Sequence, residues 1–247
     1  MRIFLLNCFM AIVIVNLKDT MALSQEARDT VIYWHNRLRS DLMHGNAKNK
    51  TGMIPKPKNM MQMYYSLVLE KSAQAAADKC IYSHTDTNYG ESFYSWPQDY
   101  NETYVMEQSI IGWWTEAEAR GVIGPYPNQT CFPYDYAQHS RQIGHWSQIA
   151  WWNTNEVGCA VGRCPRFKSN VYCHYWNRGN VYTGCVFWVG EPCIECPNNC
   201  NRTSLLCYNP KDPKYASSST TGKTMQTTKM TLANDPITDN NDEDSYE

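Results

Sequence analysis

Apolar side chains recur at intervals of three and four after Ser24: Ala27, Val31, Trp34, Leu38 and Leu42. That spacing places them on one face of a helix. Ser24 stands where an N-cap belongs, and Glu26 falls in the first turn, where the helix dipole favours an acid. The pattern stops over 43–57, where Gly45, Gly52, Pro55 and Pro57 predict a loop. Leu69, Ala73, Ala76 and Cys80 return to helical register in an Ala-rich run, so 67–80 is a second predicted helix. Residues 105–120 give a third, closed by Gly121. A fourth is predicted over 137–151, after an aromatic loop (124–136) broken by Pro125, Pro127 and Pro133.

The period then changes. Residues 157–163, 170–176 and 181–189 are rich in β-branched and aromatic types and are punctuated by Gly and Pro, which predicts strands. Helices early and strands late imply an α+β layered domain, with room for one inserted early strand.

The ends of the chain differ from this middle. Arg2 precedes a mostly apolar run from Ile3 to Leu17, interrupted only by Asn7 and Asn16. It falls short of the roughly 20 apolar residues a bilayer span needs, so residues 1–22 read as a signal peptide cleaved near Thr20-Met21-Ala22. The main domain is then 23–190. Between Cys193 and Cys207 four cysteines fall in a segment too short to bury an apolar core, so 191–208 is expected to be held by disulfides. Cys193-Ile194-Glu195-Cys196 could also be read as a zinc knuckle, which an oxidising compartment disfavours. Residues 209–247 are rich in Ser and Thr and end acidic, as a disordered tail would be. No membrane span or lipid-anchor signal is expected.

Charge narrows the function. Lys+Arg number 22 against 24 Asp+Glu, which gives no net basic surface for nucleic acid. Of 11 cysteines, Cys8 would leave with the signal peptide, and the ten that remain suit complete pairing. Sequons begin at Asn49, Asn101, Asn128 and Asn201 and could carry glycans only on the secretory route. Together these features predict an extracellular, glycosylated protein.

The densest cluster of unusual residues is Gly144-His145-Trp146-Ser147-Gln148-Ile149-Ala150-Trp151. Alone, a histidine between tryptophans is most often a packing residue. Upstream, however, stand Cys80-Ile81-Tyr82-Ser83-His84, then Tyr89-Gly90-Glu91-Ser92, then Trp113-Trp114-Thr115-Glu116. Val157-Gly158-Cys159-Ala160 follows. Over residues 24–189 this series resembles the CAP superfamily of cysteine-rich secretory, antigen-five and pathogenesis-related proteins. Within it, the chain is most similar to the activation-associated secreted, venom-allergen-like proteins of nematodes.

The resemblance implies a three-layer α-β-α sandwich followed by a small disulfide-rich hinge. It implies a central cleft formed by His84, Glu91, Glu116 and His145. Neutral imidazoles are good ligands for zinc and related divalent ions, and two of them leave most of a coordination sphere open. His84 and His145 are therefore the expected ligands of a reversibly bound divalent cation, with Glu91 and Glu116 orienting the rings or binding metal waters. A hydrogen-bonded cluster bracing the cleft is the competing reading. Resemblance also implies the pairs Cys80–Cys164, Cys159–Cys173, Cys193–Cys200 and Cys196–Cys207, with Cys131–Cys185 left over.

The implied role is a non-enzymatic secreted effector that meets a lipid or sterol, or a host receptor protein, and modulates host immunity. Tyr126, Phe132, Tyr134 and Tyr136 either line such a lipid site or simply pack their loop. The alternative is a hydrolase using the His/Glu cleft, but Ser147 and Ser83 have no evident base arrangement and no nucleophile-elbow or metalloprotease motif is present. Two departures stand out. Ser92 replaces the Asn of the Gly-Glu-Asn motif. The segment Cys173-His174-Tyr175-Trp176-Asn177-Arg178-Gly179-Asn180 lacks the usual Pro and has His174 in place of Asn, where a surface position is expected.

Overall fold

The structure is a computed structural model that describes residues 23–211. The predicted signal peptide, and all but the first residues of the predicted tail, lie outside the described residues. The chain runs α1 (Gln25–His44), β1 (Tyr64–Tyr65), α2 (Leu67–Ala77), β2 (Gly90–Trp96) and α3 (Glu102–Arg120). It continues with β3 (Cys131–Pro133), α4 (Tyr136–His139), α5 (Gly144–Ile149), β4 (Glu156–Gly162), β5 (Ser169–Trp176) and β6 (Cys185–Trp188).

Helix α1 begins where its pattern predicts. The Ser24 hydroxyl accepts from the Ala27 amide, and Gly45 closes the helix in the left-handed conformation. Helix α3 begins earlier than its apolar face suggests, because Asn101 caps it by accepting from the Thr103 and Tyr104 amides.

Strands β1, β4, β5 and β2, in that spatial order, form the main sheet, and β3 pairs with β6 in a second, two-stranded sheet. Strand β1 runs parallel to β4, and the other neighbours in the main sheet are antiparallel. Its two faces divide the core. Val157, Cys159 and Val161 of β4, with Val171, Cys173 and Tyr175 of β5, pack against Ala27 and Val31 of α1 and Val105 and Ile110 of α3. On the opposite face Ala160 and Tyr172 meet Ala73, Ala76 and Ala77 of α2. This is the three-layer α-β-α sandwich that the resemblance implies.

Small residues set the spacing of the second face. A Cβ placed on Gly158 would lie 2.2 Å from the Glu70 amide nitrogen and 2.4 Å from the Ser66 carbonyl oxygen. One placed on Gly162 would lie 2.4 Å from the Ala77 carbonyl oxygen. Helix α2 thus rests on bare backbone of β4, a contact no larger residue permits.

Three expectations are corrected. The predicted fourth helix is two short helices, α4 and α5, because Gln142 between them adopts φ 53°, a left-handed conformation that ends one helix and redirects the next. Two strands, β1 and β2, precede α3, one more than the single early insertion the pattern left room for. Strand β6 covers only four residues of the predicted 181–189. All five disulfides implied by the resemblance are formed. The cysteine-rich segment is held by more than its bridges. Cys193, Cys200 and Leu206 join the core around Trp146 and Phe187, and Glu195 accepts from Lys58 at 2.5 Å and from Asn59 at 2.6 Å.

A buried arginine, which no sequence pattern announces, locks α1 to the site region. The guanidinium of Arg39 donates to the carbonyl oxygens of Met61, Ile149, Trp151, Trp152 and Thr154, at 2.5 to 3.2 Å. Burial pushes its pKa down to about 9, which leaves it charged at neutral pH. One side chain thus gathers three carbonyls of the loop that follows α5, beside the backbone bonds that join Trp152 to Val186 and Asn155 to Trp176.

Candidate functional site: two histidine–carboxylate pairs

His84 lies in the segment between α2 and β2, which the Cys80–Cys164 bridge ties to the end of β4. The Tyr172 hydroxyl also holds this segment by donating to the Ser83 carbonyl at 2.6 Å. Glu91, the second residue of β2, is turned inward, with its side chain 3% exposed. Four donors converge on its two oxygens. Oε1 accepts from His84 Nδ1 at 2.9 Å and from the Thr85 amide at 2.8 Å. Oε2 accepts from the Thr85 hydroxyl and from His174 Nε2 at 2.9 Å. Burial alone would raise its pKa, but the hydrogen bonds from His174, His84 and Thr85 outweigh burial and hold it at about 2.

The second pair is built from two helices. Glu116 sits near the end of α3, and its Oε1 accepts from His145 Nδ1 at 2.6 Å. Its Oε2 accepts from the Trp146 amide at 2.9 Å. Ile143, at the N-cap position of α5, supplies no side-chain bond, so Glu116 satisfies that helix end instead. Trp113, three residues before Glu116, stacks on the His145 ring with centroids 5.5 Å apart.

Helix α5 also packs against the start of β2, where a Cβ on Gly90 would lie 2.1 Å from Gln148 Oε1. The two pairs therefore belong to adjoining elements. In each, the carboxylate can only accept, so the proton of the shared bond sits on Nδ1, and in a neutral ring the lone pair is then on Nε2. Among the described residues neither Nε2 has a protein partner, and the side chains of His84 and His145 are 40% and 25% exposed. This donor chemistry fits an ion held by two imidazoles with carboxylate support. It does not extend to a closed site, since among the described residues no group of three or more His, Cys, Asp or Glu could hold a metal ion.

The other candidates separate clearly. His174, expected at the surface, is 1% exposed and forms part of the Glu91 cluster. No sequence signal marks it, because alternation along β5 fails when both faces are buried. Of the loop aromatics, Phe132 stacks on Phe187 in the core, and Tyr134 is buried against Trp151. The Tyr126 hydroxyl donates to Asp135 at 2.7 Å, and Tyr136 is 71% exposed. Of the two readings of these residues, packing describes Phe132 and Tyr134, while Tyr136 stands open to solvent. Two shallow cavities, of about 600 and 560 Å³, lie elsewhere and share Tyr89 and Trp176 as walls.

Among the described residues no serine hydroxyl or cysteine thiol is hydrogen-bonded to His84 or His145. The Ser147 hydroxyl donates its one proton to Asn180 Oδ1 at 2.6 Å, with the Ile143 carbonyl as an alternative acceptor, and Ser83 donates to the His84 carbonyl. Ser72 does contact His174, but it sits inside α2, where backbone N–H groups are committed to helical carbonyls and offer no oxyanion hole. Among the sequons, the Asn49 amide nitrogen donates to the Val122 carbonyl at 2.9 Å, while Asn101 and Asn128 are exposed. Asn201 is half-buried and accepts from the amides of Thr203 and Ser204.

A helix-covered sheet, five disulfides and two imidazoles steadied by separate carboxylates define a cysteine-rich, CAP-type domain. The chain belongs to the CAP, or cysteine-rich secretory protein, family, whose model matches residues 32–175. It is 31% identical to the Ancylostoma secreted protein of Ancylostoma caninum, over 76% of this chain but only 45% of that longer relative. It is 27% identical to a cysteine-rich venom protein of Varanus acanthurus, over 79% of this chain and 83% of the other. Among solved structures, the crystal structure of NaASP2 with Zn2+ is similar at a TM-score of 0.70 and 30% identity, over 75% of this chain and 97% of that one. BmVAL-1 is similar at a TM-score of 0.67 and 26% identity, over 76% and 96% of the two chains. No helix among the described residues is long and apolar enough to cross a membrane.

Proposed function

We propose that this protein is a secreted, non-enzymatic effector whose cleft takes up a divalent cation reversibly, with zinc the best candidate. His84 and His145 would supply the two protein ligands, and water would fill the remaining positions. Glu91 and Glu116 orient the rings by accepting from Nδ1. When bound, the cation would supply a positive centre with exchangeable waters.

One observation carries this reading. Both histidines give the Nδ1 proton to a carboxylate, which in the neutral ring leaves the Nε2 lone pair open to an ion, and the same carboxylates are braced by backbone amides of Thr85 and Trp146. The similar structure solved with Zn2+ supports the choice of ion. Secretion is supported by the ten paired cysteines and by the names of the relatives. Recognition of a host protein through the outer surface, with modulation of host immunity, completes the reading on the strength of family likeness. A lipid or sterol on the 124–136 loop is not part of it, because Phe132 and Tyr134 are core residues.

Calorimetric titration of zinc into chelator-treated protein tests the proposal. We expect one ion per chain at neutral pH, and no binding after His84→Ala with His145→Ala. Absence of binding by the wild type would refute the metal reading.

A further inference from the structure

We infer that His174 is a positioning residue for the cleft, fixing Glu91 so that Glu91 in turn holds His84 with Nε2 turned outward. The inference rests on the proposed role of His84 only for its consequence in metal binding. Its structural part stands on His174 itself.

Glu91 of β2 and His174 of β5 are direct cross-strand partners, so their side chains share one face of the sheet. On its other side His174 is paired with Gly158 of β4, which has no side chain to compete for that space. The ring is thereby confined between β2 and α2. Its Nε2 donates to Glu91 Oε2 at 2.9 Å, and its Nδ1 meets the Ser72 hydroxyl of α2 at 3.0 Å. Tyr89 lies over it, with ring centroids 5.8 Å apart.

Proton positions follow from what each group can donate. A carboxylate has no proton to give, so the proton between His174 and Glu91 belongs to Nε2. In the neutral ring Nδ1 is then the acceptor, and Ser72 donates to it. Hydrogen bonds therefore run in one direction, from Ser72 through His174 to Glu91. His84 donates into the same carboxylate from the opposite side. Glu91 is caught between two imidazoles, one buried and one facing out. Because His174 and the Thr85 hydroxyl both occupy Oε2, Oε1 is left to His84 and the Thr85 amide.

Two amide substitutions separate positioning from bulk. In His174→Gln the side-chain amide nitrogen stands near the place of Nε2 and can still donate to Glu91. In His174→Asn the amide is one bond shorter and reaches only the place of Nδ1. Both variants should be checked for native fold by circular dichroism and thermal midpoint. On metal-free protein, nitrogen-15 NMR of the His84 ring should show the Nδ1–H tautomer in the wild type and in His174→Gln, and a mixture of tautomers in His174→Asn. In zinc titrations, His174→Gln should stay within about threefold of the wild type, while His174→Asn should bind roughly 10- to 100-fold more weakly, the range typical of lost outer-shell partners. An unchanged His84 tautomer in a folded His174→Asn would overturn the inference, as would equal losses in both variants. If the wild type binds no zinc, the metal reading fails by itself, and the NMR comparison still decides the role of His174.

Discussion

Replacing Glu91 by glutamine should remove most of one component of this protein's acid sensitivity, and its size can be worked from the site. The folded-state pKa is lowered from 4.5 to about 2. A depressed carboxylate stabilises the fold above its unfolded pKa, and that stabilisation fades as pH falls through the folded value. A displacement of about 2.5 units corresponds to about 3 kcal/mol at pH 7, of which about 2 kcal/mol is already lost at pH 3. Glutamine removes the titration and also the geometry. Its single carbonyl oxygen can serve only two of the four donors, and its own NH2 group faces the other two. Two lost charge-assisted bonds also predict a loss on the order of 3–5 kcal/mol at neutral pH. Urea unfolding of wild type and Glu91→Gln, with disulfides intact, should be followed at pH 7, 5, 4 and 3. The gap between the two should be widest at pH 7 and should narrow by about 2 kcal/mol at pH 3, as the wild type loses what the variant never had. A gap that stays constant across this range would refute the view of Glu91 as a buried, ionised hub.

Two further predictions concern the frame that holds the site. Arg39→Met leaves five carbonyl oxygens without their donor, and at about 1 kcal/mol each this approaches the whole stability of an ordinary domain, so the variant should be recovered unfolded or with a sharply reduced urea midpoint; an unchanged midpoint would show that water replaces the guanidinium without loss. Gly158→Ala places a methyl group 2.2 Å from the Glu70 amide nitrogen, where only backbone movement of α2 relieves it, and should cost about 3 kcal/mol or more by chemical denaturation.

The amino-acid sequence by itself determined much of this protein. Local spacing set α1 and its cap at Ser24, the Ala face of α2, and strands β4 and β5, because each is written in a few neighbouring residues. Through their likeness to the CAP superfamily, the segments Cys80 to His84, Tyr89 to Ser92, Trp113 to Glu116 and Gly144 to Trp151 pointed to the four residues that the fold joins as two pairs. Tertiary structure decided the rest. The break between α4 and α5 depends on Gln142 and on Glu116 reaching from another helix, which periodicity along one segment does not encode. Burial of His174 follows from a strand covered on both faces, where alternation vanishes, and its meeting with Glu91 follows from strand register. Phe132 and Tyr134 read alike as ligand-lining or packing residues until Phe187 and Trp151 were placed against them. Arg39 shows no signal at all, since the carbonyl groups that hold it belong to backbone, which every sequence has and only a fold can gather around one side chain.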